Sequence, residues 1–194
     1  MQKLLEQGKS SRSDSVVGII VLPFGSTDQK RLKVLGRRLH QLFVGVEVKV
    51  VDSARVPDGS FISSRNQFLA SRLLSSLLRI LPEDGRTRVL GVTDEDLFAP
   101  GLNFVFGQAF DKVAVISTRR LKPVDGIVGD GRLFQLRMVK EAVHELGHTF
   151  GLEHCADPSC VMYFSNSIRD TDTKSEQFCE NCWVKVGKQI GREV

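Results

Sequence analysis

"VVGIIVLPF" at 16–24 is apolar throughout except for one glycine. A run so rich in branched residues, closed by Pro23 and Phe24, predicts a strand buried on both faces inside a sheet. Ser26 with Gln29 three residues later makes a capping-box pattern, and Leu32, Leu35, Leu39 and Leu42 follow at helical spacing, predicting a helix over 26–43. "VEVKVVD" alternates Val46, Val48 and Val50 with Glu47 and Lys49, the period of a strand with one wetter face. In "RNQFLASRLLSSLLRIL" Leu69, Leu73, Leu77 and Leu81 recur with Leu74 and Leu78 beside them, predicting a core-facing helix that Pro82 ends. "TRVLGVTD" predicts the third strand.

Strand, helix, strand, helix, strand is the order that right-handed crossovers turn into a parallel sheet, so this half of the chain reads as α/β. "NFVFGQAF" (103–110) and "KVAVIST" (112–118) leave no room for a crossover helix. They are predicted to pair antiparallel, with one of them at an edge. Gly107 reads as a bulge, a close backbone approach or a residue near a turn. After "RRLKPVDGIVGDG", the stripe Leu136, Val139, Val143, Leu146 and Phe150 predicts a helix from about 131 to Gly151, with His144, Glu145 and His148 on its other side. From 152 onward the chain is poor in apolar runs and needs a staple. The expected organisation is an upper subdomain over 1–151, with the mixed sheet and this helix, and a lower one over 152–194.

Composition narrows the class. The chain has 194 residues, 41% hydrophobic and 26% charged, which suits one soluble globular domain. Its apolar runs are too short to span a bilayer. "MQKLLEQGKSSRSDS" lacks the features of an export signal, so a cytoplasmic monomer with a frayed start is expected. A net charge of +4 and a pI near 9.0 raise the question of nucleic acid. The basic residues are interleaved with acids, however, and one Trp and one Tyr offer little stacking surface, so no nucleic-acid partner is expected.

The candidate chemistry lies in "HELGHTFGLEHC" (144–155), which holds three of the four histidines and the first of the four cysteines. On a helix His144 and His148 stand one turn apart on one face, so both imidazoles reach a single ion, and Glu145 points near it without binding. Gly151 lets the chain leave the helix through a left-handed conformation, bringing His154 back as third ligand. Three protein ligands leave zinc a position for water, and Glu145 is placed to take its proton. Polar histidines on a solvated helix face are the bland reading, and the offsets of the glycine and third histidine argue against it. His40 stands apart from any other ligand type and reads as a surface histidine.

Cys155, Cys160, Cys179 and Cys182 make CxxxxC then CxxC, read as a four-cysteine structural zinc site, with two disulfides as the alternative. Neighbouring side chains on extended backbone point to opposite sides, so His154 and Cys155 can face different ions. Two zincs per chain are therefore expected. "TDEDLF", with Asp94, Glu95 and Asp96, is a solvated turn or a calcium site.

"HELGHTFGLEH", Met162 in "CVMYF" and the cysteines of "CADPSCVM" and "CENC" resemble the metzincin clan of zinc metallopeptidases, and its archaemetzincin branch in particular. The resemblance implies a mixed sheet with one antiparallel edge strand, an active-site helix along its base and a small lower subdomain. It further implies catalytic zinc on His144, His148 and His154, Glu145 as general base, Met162 as the floor of the site, and a second zinc on the four cysteines. Some metzincins carry a tyrosine two positions after that methionine. Here Phe164 holds the place and Tyr163 comes one residue early, so Tyr163 is given no catalytic role.

The reading is a zinc-dependent metallopeptidase whose peptide substrate lies along the "NFVFGQAF" edge. A metal-stabilised peptide-binding module and a non-peptide amide hydrolase are the alternatives, and an intact Glu145 favours catalysis. The loop 119–131 is a candidate cover for the cleft.

Overall fold

Strand β1 (Gly18–Phe24) lies between β2 (Glu47–Val50) and β5 (Arg88–Thr93) and pairs parallel with both, the interior place its unbroken apolar run predicts. In this computed structural model, which describes residues 17–123 and 131–191, the sheet continues through β8 (Val113–Ser117), parallel to β5. It ends at β7 (Gly107–Phe110), antiparallel to β8 and open on its far side. The result is the mixed, mostly parallel α/β sheet with one antiparallel edge that was expected.

Side-chain alternation divides the core. Ile19, Val21, Leu90, Val92, Ala114 and Ile116 pack with α1 (Gln29–Leu42) and α3 (Gly131–Thr149) on one face. Leu22, Val89, Val113 and Val115 pack with α2 (Ala70–Leu78) on the other. Successive residues of one strand thus serve opposite layers.

Several boundaries differ from the sequence reading. The first helix begins at Gln29 because Asp28, not Ser26, caps it, its carboxylate accepting from Lys30 N at 2.9 Å. Only 70–78 of the second apolar segment is helical. Ahead of it β3 (Phe61–Ile62) and β4 (Gln67–Leu69) form an antiparallel hairpin, and β4 pairs parallel with β6 (Leu97–Phe98) to make a second, three-stranded sheet. Within 103–110 only the last four residues are strand; Phe104 and Phe106 lie in the approach to it.

The polar face of helix α3 is itself covered: the helix is buried on all sides from Arg137 to Gly147. Phe134 and Met138 enter the core where Leu136 was expected to, and Leu136 is only half-buried. After it come α4 (Ile168–Thr173) and α5 (Glu180–Gln189). Cys160, Val161, Met162, Cys182 and Val186 of this tail share the core of α3. The start at 1–16 and most of the suggested covering loop lie outside the described residues. Among the described residues no helix is long and apolar enough to cross a membrane.

Candidate metal centres and active site

Helix α3 supplies His144, Glu145 and His148, and its C-terminal exit supplies the rest. Gly151 has φ +82°, a left-handed conformation that glycine adopts without strain. Leu152 N–H donates back to Gly147 O at 3.1 Å and Gly151 N–H to His148 O at 2.9 Å. The turn delivers His154 beside the helix, and one nitrogen from each of the three histidines lies within 4.8 Å of the others.

Backbone carbonyls fix two of the rings. His144 Nδ1 is 2.8 Å from Val161 O and His148 Nδ1 is 2.7 Å from Leu152 O. With Nδ1–H donating in both, each Nε2 carries its lone pair toward the other, and the two Nε2 atoms are 3.2 Å apart. Burial pulls the His144 imidazole well below its ordinary value, with the Lys174 charge adding to it, and burial lowers His148 and His154 too. Neutral imidazoles turned inward at this spacing fit a divalent metal.

Glu145 is buried beside them at the cleft. Burial pushes its carboxyl well above the usual carboxylate range, neighbouring Glu141 adds to this and Lys174 opposes it. Gly107 of β7 packs directly on it: a Cβ there would stand 2.5 Å from Glu145 Cγ. Of the readings open for Gly107, the close backbone approach is the one observed. The groups meet in a cleft of about 570 Å³. Leu102, Phe104, Phe106 and Phe164 line it, the Phe164 ring centroid 4.8 Å from that of His154. Leu102 and Phe164 are both about half exposed, large apolar side chains turned to an open groove.

Met162 is fully buried, with its thioether against Gly147 of α3, where any side chain would collide with it. Tyr163 contributes its carbonyl, which accepts from Lys174 Nζ at 3.4 Å. His40 is exposed, its Nδ1 3.1 Å from Val46 O. Asp94 is paired with Lys122 at 2.7 Å and Asp96 with Arg120 at 2.6 Å, so these carboxylates answer cations of the chain itself.

The four cysteine sulfurs also converge, all within 4.8 Å of one another, and all four thiols are free. Cys155 Sγ and Cys179 Sγ are 3.8 Å apart. Four zinc–sulfur bonds of about 2.3 Å in a tetrahedron give edges of about 3.8 Å. Cys155 N–H donates to Met162 O and Cys179 N–H to Cys160 Sγ, so the cluster is tied to the turn holding Met162. Burial raises the Cys160 and Cys182 thiols, whereas the backbone N–H of Cys182 helps lower Cys179. A metal entering here displaces protons.

Sequence reading missed a group of buried charges on the same face of α3 as the histidines, one and two turns before His144. Glu141 pairs with Lys174 at 3.2 Å, Arg137 pairs with Asp172 at 2.7 Å, and Lys140 donates to Thr171 O and Asp172 O. Helical spacing shows nothing unusual in Arg137, Lys140 or Glu141. Their partners lie some thirty residues downstream.

An open sheet edge above a helix that carries paired inward-facing histidines is the architecture of a zinc metallopeptidase. The sequence matches the model of Peptidase family M54 over residues 31–188, and the chain belongs to that family. It is 43% identical to the archaemetzincin of Pyrococcus furiosus over 183 residues, 90% of this chain and 94% of that protein. Its fold is similar to the crystal structure of archaemetzincin from Methanopyrus kandleri, with a TM-score of 0.81 and 37% identity over 94% of this chain and 99% of that one. It is also similar to that of a zinc-dependent peptidase from Methanocorpusculum labreanum, with a TM-score of 0.79 and 29% identity over 87% of this chain and all of the other. The resemblance read from residues 144–182 therefore extends over most of the molecule.

Proposed function

We propose that His144, His148 and His154 hold the catalytic zinc of this metallopeptidase, that Glu145 is its general base, and that peptide bonds are its substrate. The observation that carries this is the convergence of three neutral imidazoles beside a buried carboxylate at an open cleft. Zinc held there supplies Lewis acidity, polarising a carbonyl and bringing the pKa of a water to about 7. An extended peptide adds to the free edge of β7 as a further antiparallel strand. The absent side chain at Gly107 lets its backbone pass close to Glu145. Glu145 takes the proton of the attacking water and returns it to the departing amine. The apolar walls at Leu102, Phe104 and Phe164 receive the side chains of the peptide and exclude water.

Cys155, Cys160, Cys179 and Cys182 hold a second, structural zinc, and Met162 forms the floor under the histidines. Thiols kept free for a metal suit a reducing, cytoplasmic setting. Incubation of the zinc-loaded protein with a peptide library, with products read by mass spectrometry, tests the activity. Metal analysis of the same sample is expected to give two zincs per chain. No cleavage of any peptide by protein carrying both zincs would overturn the reaction proposed.

A further inference from the structure

Glu141, at the margin of the cleft, makes a buried ion pair with Lys174. Lys174 follows α4, its side chain has no exposed surface, and that of its partner Glu141 is 3% exposed. Replacing such a pair by apolar residues of similar volume is often neutral or stabilising, so stability alone does not explain its presence. Its position does.

Lys174 Nζ lies 3.2 Å from Glu141 Oε1 on α3, 3.4 Å from Tyr163 O and 3.4 Å from His144 Nδ1. Thr171 Oγ1 donates to the same Glu141 oxygen at 3.0 Å. The Nδ1 proton of His144 goes to Val161 O, and an ammonium has no lone pair to compete for it. Lys174 therefore acts on the surroundings of the ring. It joins the helix, through Glu141, to the turn that carries Val161, through Tyr163. Ser175 N–H donates to Ser159 O at 2.9 Å and Val161 N–H to Gln177 O at 2.8 Å, so the segment after Lys174 runs along this turn.

We propose that Lys174 is a positioning residue for the catalytic metal: gripped by Glu141, its ammonium holds the Val161 carbonyl under His144 and so sets the direction of the metal-facing nitrogen. The inference rests on His144 being a ligand. Removing an outer partner of a metal-bound histidine weakens metal affinity about 10–100-fold.

The experiment uses the full chain carrying zinc on its cysteines and cobalt at the histidines. Lys174→Met is expected to lower metal affinity at the histidines by about 10–100-fold in chelator competition and to change the cobalt d–d bands, with the cysteine-bound zinc retained. Since an unpaired Glu141 carboxylate can itself unfold the chain, Glu141→Met/Lys174→Met is measured beside it. That double variant is expected to melt near the parent temperature yet keep the weakened affinity and altered bands. Thr171→Val, which unpairs no charge, is expected to shift the bands the same way by less. Parent-like affinity and bands in both the double variant and Thr171→Val would overturn the proposal. A parent that takes up no metal at the histidines would overturn the ligand assignment beneath it, and shows before any variant is compared.

Discussion

Gly107 and Glu145 meet across the cleft with no room for a methyl group between them: an added Cβ would lie 2.5 Å from Glu145 Cγ and 2.7 Å from its carboxyl carbon and Oε1. The edge strand and the carboxylate share one space. Gly107→Ala is therefore expected to push Glu145 aside by a fraction of an ångström or more while leaving the histidines in place. Displacement on that scale costs about 10²-fold in rate. Peptide turnover should fall by roughly that factor with the zinc content unchanged, and parent-like turnover would show that Glu145 or β7 yields freely.

Glu145→Gln keeps the side-chain shape and removes the proton acceptor. Turnover is expected to fall about 10²–10⁴-fold, with both zincs retained by metal analysis. His148→Ala should instead lose zinc from the histidines. The pair of variants separates proton transfer from metal binding, and parent-rate turnover by Glu145→Gln would exclude it as the base.

Cys182 is buried in the core that α3 occupies, next to Val186. Cys182→Ser is expected to release the structural zinc and to expose the segment after Gly151 to proteolysis, without unfolding the sheet. Limited digestion read by mass spectrometry checks the order of cleavage. Digestion indistinguishable from the parent would mean that Val161, Met162 and Val186 hold the tail without its metal.

Asp96 gives a pH dependence with a defined sign. Burial pushes its carboxyl up, but the Arg120 guanidinium and the Gln67 amide outweigh this and hold it below the usual carboxylate range. A folded value below the unfolded one, about 3.9, means stability present above that pH and lost as pH falls through the folded value. Arg120 is 42% exposed in its side chain, so screening keeps the increment to about 1 kcal/mol or less. The thermal midpoints of the parent and Asp96→Asn should differ at pH 6 and converge toward pH 3. Because Arg120 also lies 4.3 Å over the Phe104 ring, acid should loosen the cleft wall first.

Long periodic segments were legible in the sequence. β1 is a continuous apolar run, β5 and β8 are apolar through their centres, and α1 repeats leucine at helical spacing, because burial leaves a regular mark over several turns or alternations. Phe61–Ile62 and Leu97–Phe98 are too short to show any period, and Phe68 and Leu69 were absorbed into the helical pattern that follows them. Asp28 displaced Ser26 as cap because it stands directly before the first helical residue. The histidines and cysteines were legible because the ligand sets proposed for them follow short, regular spacings, HExxHxxGxxH and CxxxxC with CxxC. Glu141, Thr171 and Lys174 were not, since an ion pair closed by tertiary folding imposes no spacing at all.

Arg88 is buried and donates its Nε hydrogen to Thr149 O at 3.0 Å, with its guanidinium 4.7 Å over the Phe150 ring. This places a cation on the carbonyl end of α3, where the helix dipole is negative. The other end is tied by Arg31 to Gly131 O and by Arg137 to Leu121 O. A helix tethered at both termini and buried all round from Arg137 to Gly147 has little freedom of its own there. The amides of that stretch should exchange with deuterium only on global unfolding, and the conformational freedom needed to admit and release a peptide falls to the rims at 99–106 and 163–166. In this molecule turnover and melting temperature can vary separately, because the parts that move are not those that hold it together.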